Sequence, residues 1–280
     1  MNIRDLVQSV ATNRFYLNFK EPRDERVLEA LSKVDRQQFI PSTENIFSIA
    51  NTEDMDDLRK VLQDIHAEGR GHNSLSADIL YALYDRAHRV VASDRKLEIN
   101  TRALAYYDMP LSIGYEQTCS EPSMVGFICD VLELSPGMRV LEIGTGCGYH
   151  AAVTSELLGE EGQVVSIECV PVLADVAWNN LRAHFGENLS QRITLLHGDG
   201  SVGVSEPGAF DRIYFTAAVQ REKFNPAPFI PQLAPHGILL YPEHDGSLVR
   251  EVYCSGVVED THFYEGVRFV PLHGKNGGMD

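Results

Sequence analysis

Hydrophobic residues are spaced with a helical period through the first hundred residues or so, and in alternating strand and helix periods after that. Between residues 1 and 41 the pattern is helical, with Val27, Leu28, Leu31 and Val34 on one face, and Pro41 forbids simple continuation after "DRQQFIP". Residues 42–103 hold two more amphipathic stretches. In "TEDMDDLRKVLQDIHAEG", Met55, Leu58, Val61, Leu62 and Ile65 share a face, and Asp54, Asp56 and Asp57 lie near the start, where the helix dipole favours acids. After the turn "GRGHNS", Ile79, Leu80, Leu83, Ala87, Val90 and Val91 repeat the pattern. Together these stretches predict an inserted helical hairpin, serving as packing or as a lid or substrate-recognition unit. From about Tyr106 the period changes. "VGFICDVLEL" predicts a helix stopped by Ser135-Pro136-Gly137. "RVLEIG", "GQVVSIE", "ITLLHGD" and "FDRIYFTAA" read as strands, with helices at "YHAAVTSELLG" and "VLADVAWNNLRAHFG". "FIPQLAPHG" predicts a short helix, and "ILLYPE", "LVREVYC" and "VRFVPL" predict late strands. Such alternation implies an α/β fold: a doubly wound, mostly parallel sheet ending in antiparallel pairing. The chain divides into a helical segment 1–41, an insertion 42–103 and an α/β domain 104–280.

Composition narrows the classes. The 280 residues, 44% hydrophobic, suffice for a substantial core. A formal charge of −16 disfavours unspecific attraction to nucleic-acid phosphates, and no basic stripe interleaved with aromatics is present. No apolar run is long enough to span a bilayer, and the N-terminus lacks a signal-peptide core. The five cysteines, Cys119, Cys129, Cys147, Cys169 and Cys254, form no CxxC pair. They fit a reducing compartment, with the cytoplasm as the default, and argue against structural zinc. His236, His244 and His273 lack metal-ligand spacing, so no metal is expected. The pattern specifies no oligomer.

The chemistry starts at "VLEIGTGCGYHAAV", where a strand meets Gly144, Gly146 and Gly148 before a helix. Such a turn lets a ligand approach the backbone closely. A dinucleotide fold wants GxGxxG, but Tyr149 stands where the last glycine belongs. S-adenosyl-L-methionine, which has no phosphate, is the competing ligand. Its carboxylate and amine need backbone groups and a nearby acid, which Gly144, Thr145, Gly146, Cys147, Gly148 and Glu142 offer. Glu168 ends the second strand, where an acid can accept both ribose hydroxyls of either cofactor. Asp199 and Gly200 end the third, close to where an adenine edge would lie, though Asp199 also suits an ordinary turn.

A longer series of segments is more specific. "YYDMPLSIGYEQTCSEPSMV", "LELSPGMRVLEIGTGCGYHAAVTSELLG", "VVSIE", "GDGSVG", "FDRIYFTAA", "IPQL" and "FVPL" in this order resemble the protein-L-isoaspartate O-methyltransferase family over roughly residues 104–274, with "RVLEALSKVDRQQFIP" upstream. The resemblance implies a Rossmann-like methyltransferase sheet with S-adenosyl-L-methionine as cofactor. It implies methylation of the free carboxylate of isoaspartyl or related aspartyl residues in polypeptides. It gives Ser120 the catalytic hydroxyl. Cofactor contacts are implied for Gln117, Thr118, Cys119, the glycine turn with Cys147, Glu168, Cys169, Asp199 and Gly200, and more weakly for His273. An acceptor carboxylate is ionised at neutral pH and needs no strong base, so a serine that holds it by one hydrogen bond suits the task.

Three features depart from the family pattern: the insertion 42–103, the acids Glu116 and Glu121 flanking Gln117–Ser120, and "PEHDGSL" in place of a glycine-rich late turn. The two acids either face outward or meet a substrate that brings a cation. Rival readings are a dedicated enzyme acting on one partner peptide and a cofactor-binding regulatory module without turnover.

Overall fold

The computed structural model describes residues 2–12, 24–41, 44–48, 96–205 and 209–277. The two helices expected within residues 49–95 lie outside the described residues. Their flanks are a short antiparallel ribbon, β1 (Glu44–Ser48) and β2 (Lys96–Asn100), with Glu44 opposite Asn100 and Ser48 opposite Lys96. The helical pattern of residues 42–103 gave no sign of this ribbon.

The N-terminal segment forms α1 (Ile3–Thr12), α2 (Glu25–Lys33) and the single turn α3 (Arg36–Phe39). Two aspartates set the starts. Asp24 accepts from the Arg26 amide at 2.9 Å and Asp35 from the Gln37 amide at 3.1 Å, satisfying N–H groups that a first turn leaves unpaired. Val34 is extended between the two helices, so the helical spacing expected up to Val34 ends one residue early. Leu6, Val10, Val27, Leu31 and Phe39 are all buried in the same core as the α/β unit.

That unit is a seven-stranded sheet. Its strands are β5 (Arg139–Ile143), β6 (Gln163–Glu168), β7 (Ile193–His197), β8 (Phe210–Phe215), β9 (Leu233–Pro242), β10 (Ser247–Cys254) and β11 (Val257–Glu265). The order is β11-β10-β9-β8-β5-β6-β7, with β9 to β7 parallel and β10 and β11 antiparallel. Side chains alternate along β5: Val140 joins the helix-covered core, and Leu141 and Ile143 join the opposite one with Phe215, Phe229 and Tyr241. The helices are α4 (Pro122–Val131), α5 (Tyr149–Leu158), α6 (Pro171–Phe185) and the short α7 (Leu189–Arg192). Buried arginines from the sheet accept the end of α4, Arg212 donating to the Leu132 carbonyl and Arg250 to that of Val131. No helix among the described residues is long and apolar enough to cross a membrane.

Three local expectations are corrected. "FIPQLAPHG" forms only a 3₁₀ turn at Ile230–Gln232, and Leu233–Gly237 already belongs to β9, because Pro235 and Gly237 are poor helix formers. "VRFVPL" is an isolated bridge: the Ala218 amide donates to the Val270 carbonyl at 2.7 Å and the Leu272 amide to that of Ala218 at 2.8 Å, while Pro271 has no N–H to extend the ladder. The edge strand β11 was not foreseen. Its residues before Tyr264 are exposed on both faces, so burial left no alternation to read.

If the N-terminal helices are part of this core, Leu31→Ala lowers unfolding free energy by ~2–5 kcal/mol in one cooperative transition. Denaturant titration followed by two probes checks this; a separate early transition, or a loss under about 1 kcal/mol, contradicts it.

Candidate active site

Strands β5, β6, β7 and β8 end on one side of the sheet, and the chain order reverses at β5, which pairs with both β6 and β8. Parallel sheets open a crevice at such a point. A cleft of about 740 Å³, part of it open to solvent, lies there. After β5 the turn Gly144–Gly148 folds over the strand tips. Gly144 has φ 98°, which disfavours other residues, and a Cβ on it would stand 2.4 Å from Thr216 Oγ1, forcing that hydroxyl away from the Ile143 and Gly144 carbonyls it bonds.

The second wall is a hairpin, β3 (Leu111–Gly114) and β4 (Gln117–Cys119), running into Ser120 and α4. Tyr115 and Glu116 close it at φ 56° and 58°, the left-handed pair that a two-residue hairpin turn requires. Both are exposed at the hairpin tip, which fits an outward-facing Glu116. Glu121 sits at the N-cap position of α4 without bonding its amides. Asp108 does that from a distance, accepting from the Ser123 amide at 2.8 Å. No hydrogen bond engages the Ser120 hydroxyl among the described residues, and Ser120 lines the cleft.

Most of the residues expected at the site meet at this cleft. Gln117, Thr118, Cys119, Ser120, Gly144, Thr145, Gly146, Cys147, Glu168, Cys169, Gly200 and His273 all line it. Three do not. Glu142 turns away from the cleft into the core. Ser166 Oγ donates to its Oε2 at 2.5 Å and the Tyr214 hydroxyl to its Oε1 at 2.8 Å. Thr145 Oγ1 lies 2.6 Å from Ser166 Oγ, so this chain of hydroxyls ties the glycine turn to the buried acid. Gly148 is the N-cap of α5 and packs on Leu181. Asp199 caps the 3₁₀ turn Gly200–Val202 and accepts from the amides of Ser201 at 2.9 Å and Lys275 at 3.0 Å, holding the C-terminal segment down. Strand-end position alone could not tell an acid facing the crevice from one facing the core. For Glu142 the parity along β5 was the available signal, since it shares a face with Val140.

Sequence reasoning missed the wall made by Val125, Ile143, Ile167, Thr216, Leu272, Tyr149 and His150. Burial pushes the His150 imidazole down to about 3, which keeps it neutral. No lysine or arginine lines the cleft among the described residues. A pyrophosphate would find no cation here, whereas a phosphate-free nucleoside fits the donors present. Glu168 accepts from the Gly146 amide at 2.7 Å through Oε2 and from the Val170 amide at 2.9 Å through Oε1. Each oxygen keeps a lone pair for a hydroxyl. The histidines and acids of the described residues form no metal-binding group.

A model of the protein-L-isoaspartate(D-aspartate) O-methyltransferase family matches residues 81–277. Protein-L-isoaspartate O-methyltransferase 1 of Archaeoglobus fulgidus is 39% identical over 229 residues, covering 80% of this chain and 97% of that protein. This chain belongs to the protein-L-isoaspartate O-methyltransferase family. The corresponding protein of Methanothermobacter thermautotrophicus is 38% identical over 230 residues, covering 80% of this chain and 98% of that protein. Among solved structures, one described as a Plasmodium falciparum protein-L-isoaspartate O-methyltransferase in complex with S-adenosyl-L-homocysteine superposes with a TM-score of 0.62 at 17% identity, covering 98% of this chain and 99% of that one. It supports the fold. Protein-L-isoaspartate O-methyltransferases use S-adenosyl-L-methionine to methylate isoaspartyl residues in proteins, and this chain is an enzyme of that kind.

The Glu142 cluster makes a testable statement about pH. Burial raises the Glu142 carboxyl to about 8, against the opposing pull of the Ser166 and Tyr214 hydroxyls. The folded state therefore keeps a proton that the unfolded chain releases near its ordinary value, so stability falls as pH rises from about 4.5 to about 8. Relative to Glu142→Gln, the native chain should lose on the order of a few kcal/mol across that window. Urea titrations at both ends check it; a difference that is constant, or that grows toward acid pH, refutes it.

Proposed function

We propose that Ser120 orients the acceptor carboxylate for methyl transfer at this cleft, and that the donor is held by Gln117, Thr118, Cys119, the turn Gly144–Cys147, Glu168, Cys169, Gly200 and His273. When bound, S-adenosyl-L-methionine supplies an electrophilic methyl group on a sulfonium. The chain's own groups supply position. Glu168 has lone pairs left for ribose hydroxyls, and the Gly144–Cys147 backbone can meet the amino-acid end. Ile143, Ile167 and Leu272 exclude water beside the nucleoside. The acceptor is already an anion at neutral pH, so no residue needs to remove a proton. The Ser120 hydroxyl donates to one carboxylate oxygen and leaves the other free to attack. Alignment of this kind can be worth up to about 7–11 kcal/mol in favourable cases.

The observation that carries this reading is that, among the described residues, the Ser120 hydroxyl has no hydrogen-bond partner and lines a cleft without lysine or arginine at the tips of four parallel strands. Incubation with labelled S-adenosyl-L-methionine and a matched pair of isoaspartyl and aspartyl peptides tests it. Base-labile label should enter only the isoaspartyl peptide. Ser120→Ala should lower kcat roughly 10–100-fold, the size of one lost hydrogen bond to a charged group, with affinity for S-adenosyl-L-homocysteine within about threefold. Unchanged kcat in that variant would remove Ser120 from the mechanism.

We read residues 42–103 as a unit that selects polypeptide clients. Because Ser48 and Lys96 face each other across the ribbon, an Asn-Gly turn can replace residues 49–95. Turnover of a short isoaspartyl peptide should stay within about twofold, while that of folded isoaspartyl proteins changes several-fold. Equal effects on both substrates would leave the segment a packing role only.

A further inference from the structure

The loop that carries Ser120 is held from beneath by a residue outside the stretch matched by the family model. Arg36 is fully buried, at 0% exposure. Its guanidinium reaches two separate segments. Nη1 donates to the carbonyls of Ala105 at 3.2 Å and Tyr107 at 3.1 Å. Nη2 donates to those of Met109 at 2.8 Å, Cys119 at 3.2 Å and Ser120 at 3.0 Å. Its Nε has no partner, and no carboxylate pairs with it among the described residues. The Tyr149 ring centroid lies 5.7 Å from the guanidinium carbon, and the Cys119 thiol is also within its influence; a buried cation whose hydrogen bonds run chiefly to backbone carbonyls costs much to desolvate. An ordinary core position would be filled more cheaply by an apolar side chain. What this geometry does achieve is to fix the peptide planes on both sides of the Ser120 Cα region to the strand-entry loop 105–109, using the planar fork that only arginine presents.

We infer that Arg36 is a positioning residue for methyl transfer: it sets the backbone from which the Ser120 hydroxyl meets the acceptor. This inference rests on the reading of Ser120 given above. Lysine keeps the charge but cannot span five carbonyls from one plane. Removing the fork lets the Ser120 carbonyl and its Cα drift, and a displacement of about an ångström is enough to cost up to roughly a hundredfold in rate. Binding of either substrate depends on many other contacts and changes little.

The experiment is a double-mutant cycle in the full chain, with Arg36→Lys, Ser120→Ala and both together. Arg36→Lys should lower kcat by about tenfold or more, with KM for the isoaspartyl peptide and Kd for S-adenosyl-L-homocysteine within about threefold. In the Ser120→Ala background the same substitution should cost no more than about twofold, since the hydroxyl it positions is gone. A loss that multiplies in full in both backgrounds overturns the inference while leaving Ser120 in place. An unimpaired Ser120→Ala single variant overturns the reading of Ser120 and this inference with it. Should Arg36→Lys not fold, hydrogen exchange in the native chain decides: amides of residues 117–120 should open in the same event as those of residues 37–40. Independent, faster opening of 117–120 overturns the clamp.

Discussion

One buried guanidinium ties together parts of this molecule that lie far apart in the chain. Arg36 stands on a single helical turn near the N-terminus, yet its donors end on carbonyls 69 to 84 residues later in the chain. Desolvating it is tolerable only if those carbonyls converge, and they converge only when α3, the 105–109 loop and the β4–α4 junction are all in place. The N-terminal segment is thus bound to the fold by polar geometry as well as by the burial of Leu6, Val10, Leu31 and Phe39. On the far side of the cleft, the Thr145–Ser166–Glu142–Tyr214 chain does the same for the glycine turn. Both walls of the crevice are therefore braced from within the protein, and the crevice is lined by apolar side chains, thiols, backbone groups and a few polar side chains such as Gln117, Thr118, Ser120 and Glu168.

That division explains the electrostatics of the site. The chain is acidic overall, and its cleft holds Glu168, whose two oxygens are each engaged by an amide, and Cys119, whose thiol is drawn down to about 6, against burial, by the Cys147 thiol and the Arg36 guanidinium. The Arg36 guanidinium lies under the Ser120 loop, bonded to the carbonyls of Cys119 and Ser120. Among the described residues no lysine or arginine lines the cleft, so on the reading of Ser120 proposed above nothing there would pair with the acceptor carboxylate.

The sheet, the helices over it and the site's main line were legible in the chain itself. Runs such as "RVLEI" and "VVSIE" are mostly apolar because both faces of a parallel strand are covered, and the glycines after "LEI" mark where backbone must bend sharply. The hairpin carrying Gln117 to Ser120 was legible only through resemblance to known relatives, since a turn serine before proline has no local signature. What failed to show had physical reasons. Strand β11 is wet on both sides, Pro271 reduces a strand to a bridge, and the ribbon at 44–48 and 96–100 pairs residues that are more than forty positions apart. The orientation of Glu142 followed the pleat, which outweighed its attractive position beside the glycines. Arg36 gave no signal because its partners are carbonyls, which every residue carries.

The β1–β2 ribbon has one last consequence. A segment whose two ends are already clamped side by side is attached to the enzyme as a closed loop, and closing a loop costs only about 0.6 kcal/mol for each doubling of its length. Residues can be gained or lost between Ser48 and Lys96 with almost no tax on the rest of the fold. On loop-closure grounds alone, the stretch between the two strands is a place where a change of length costs the rest of the fold little.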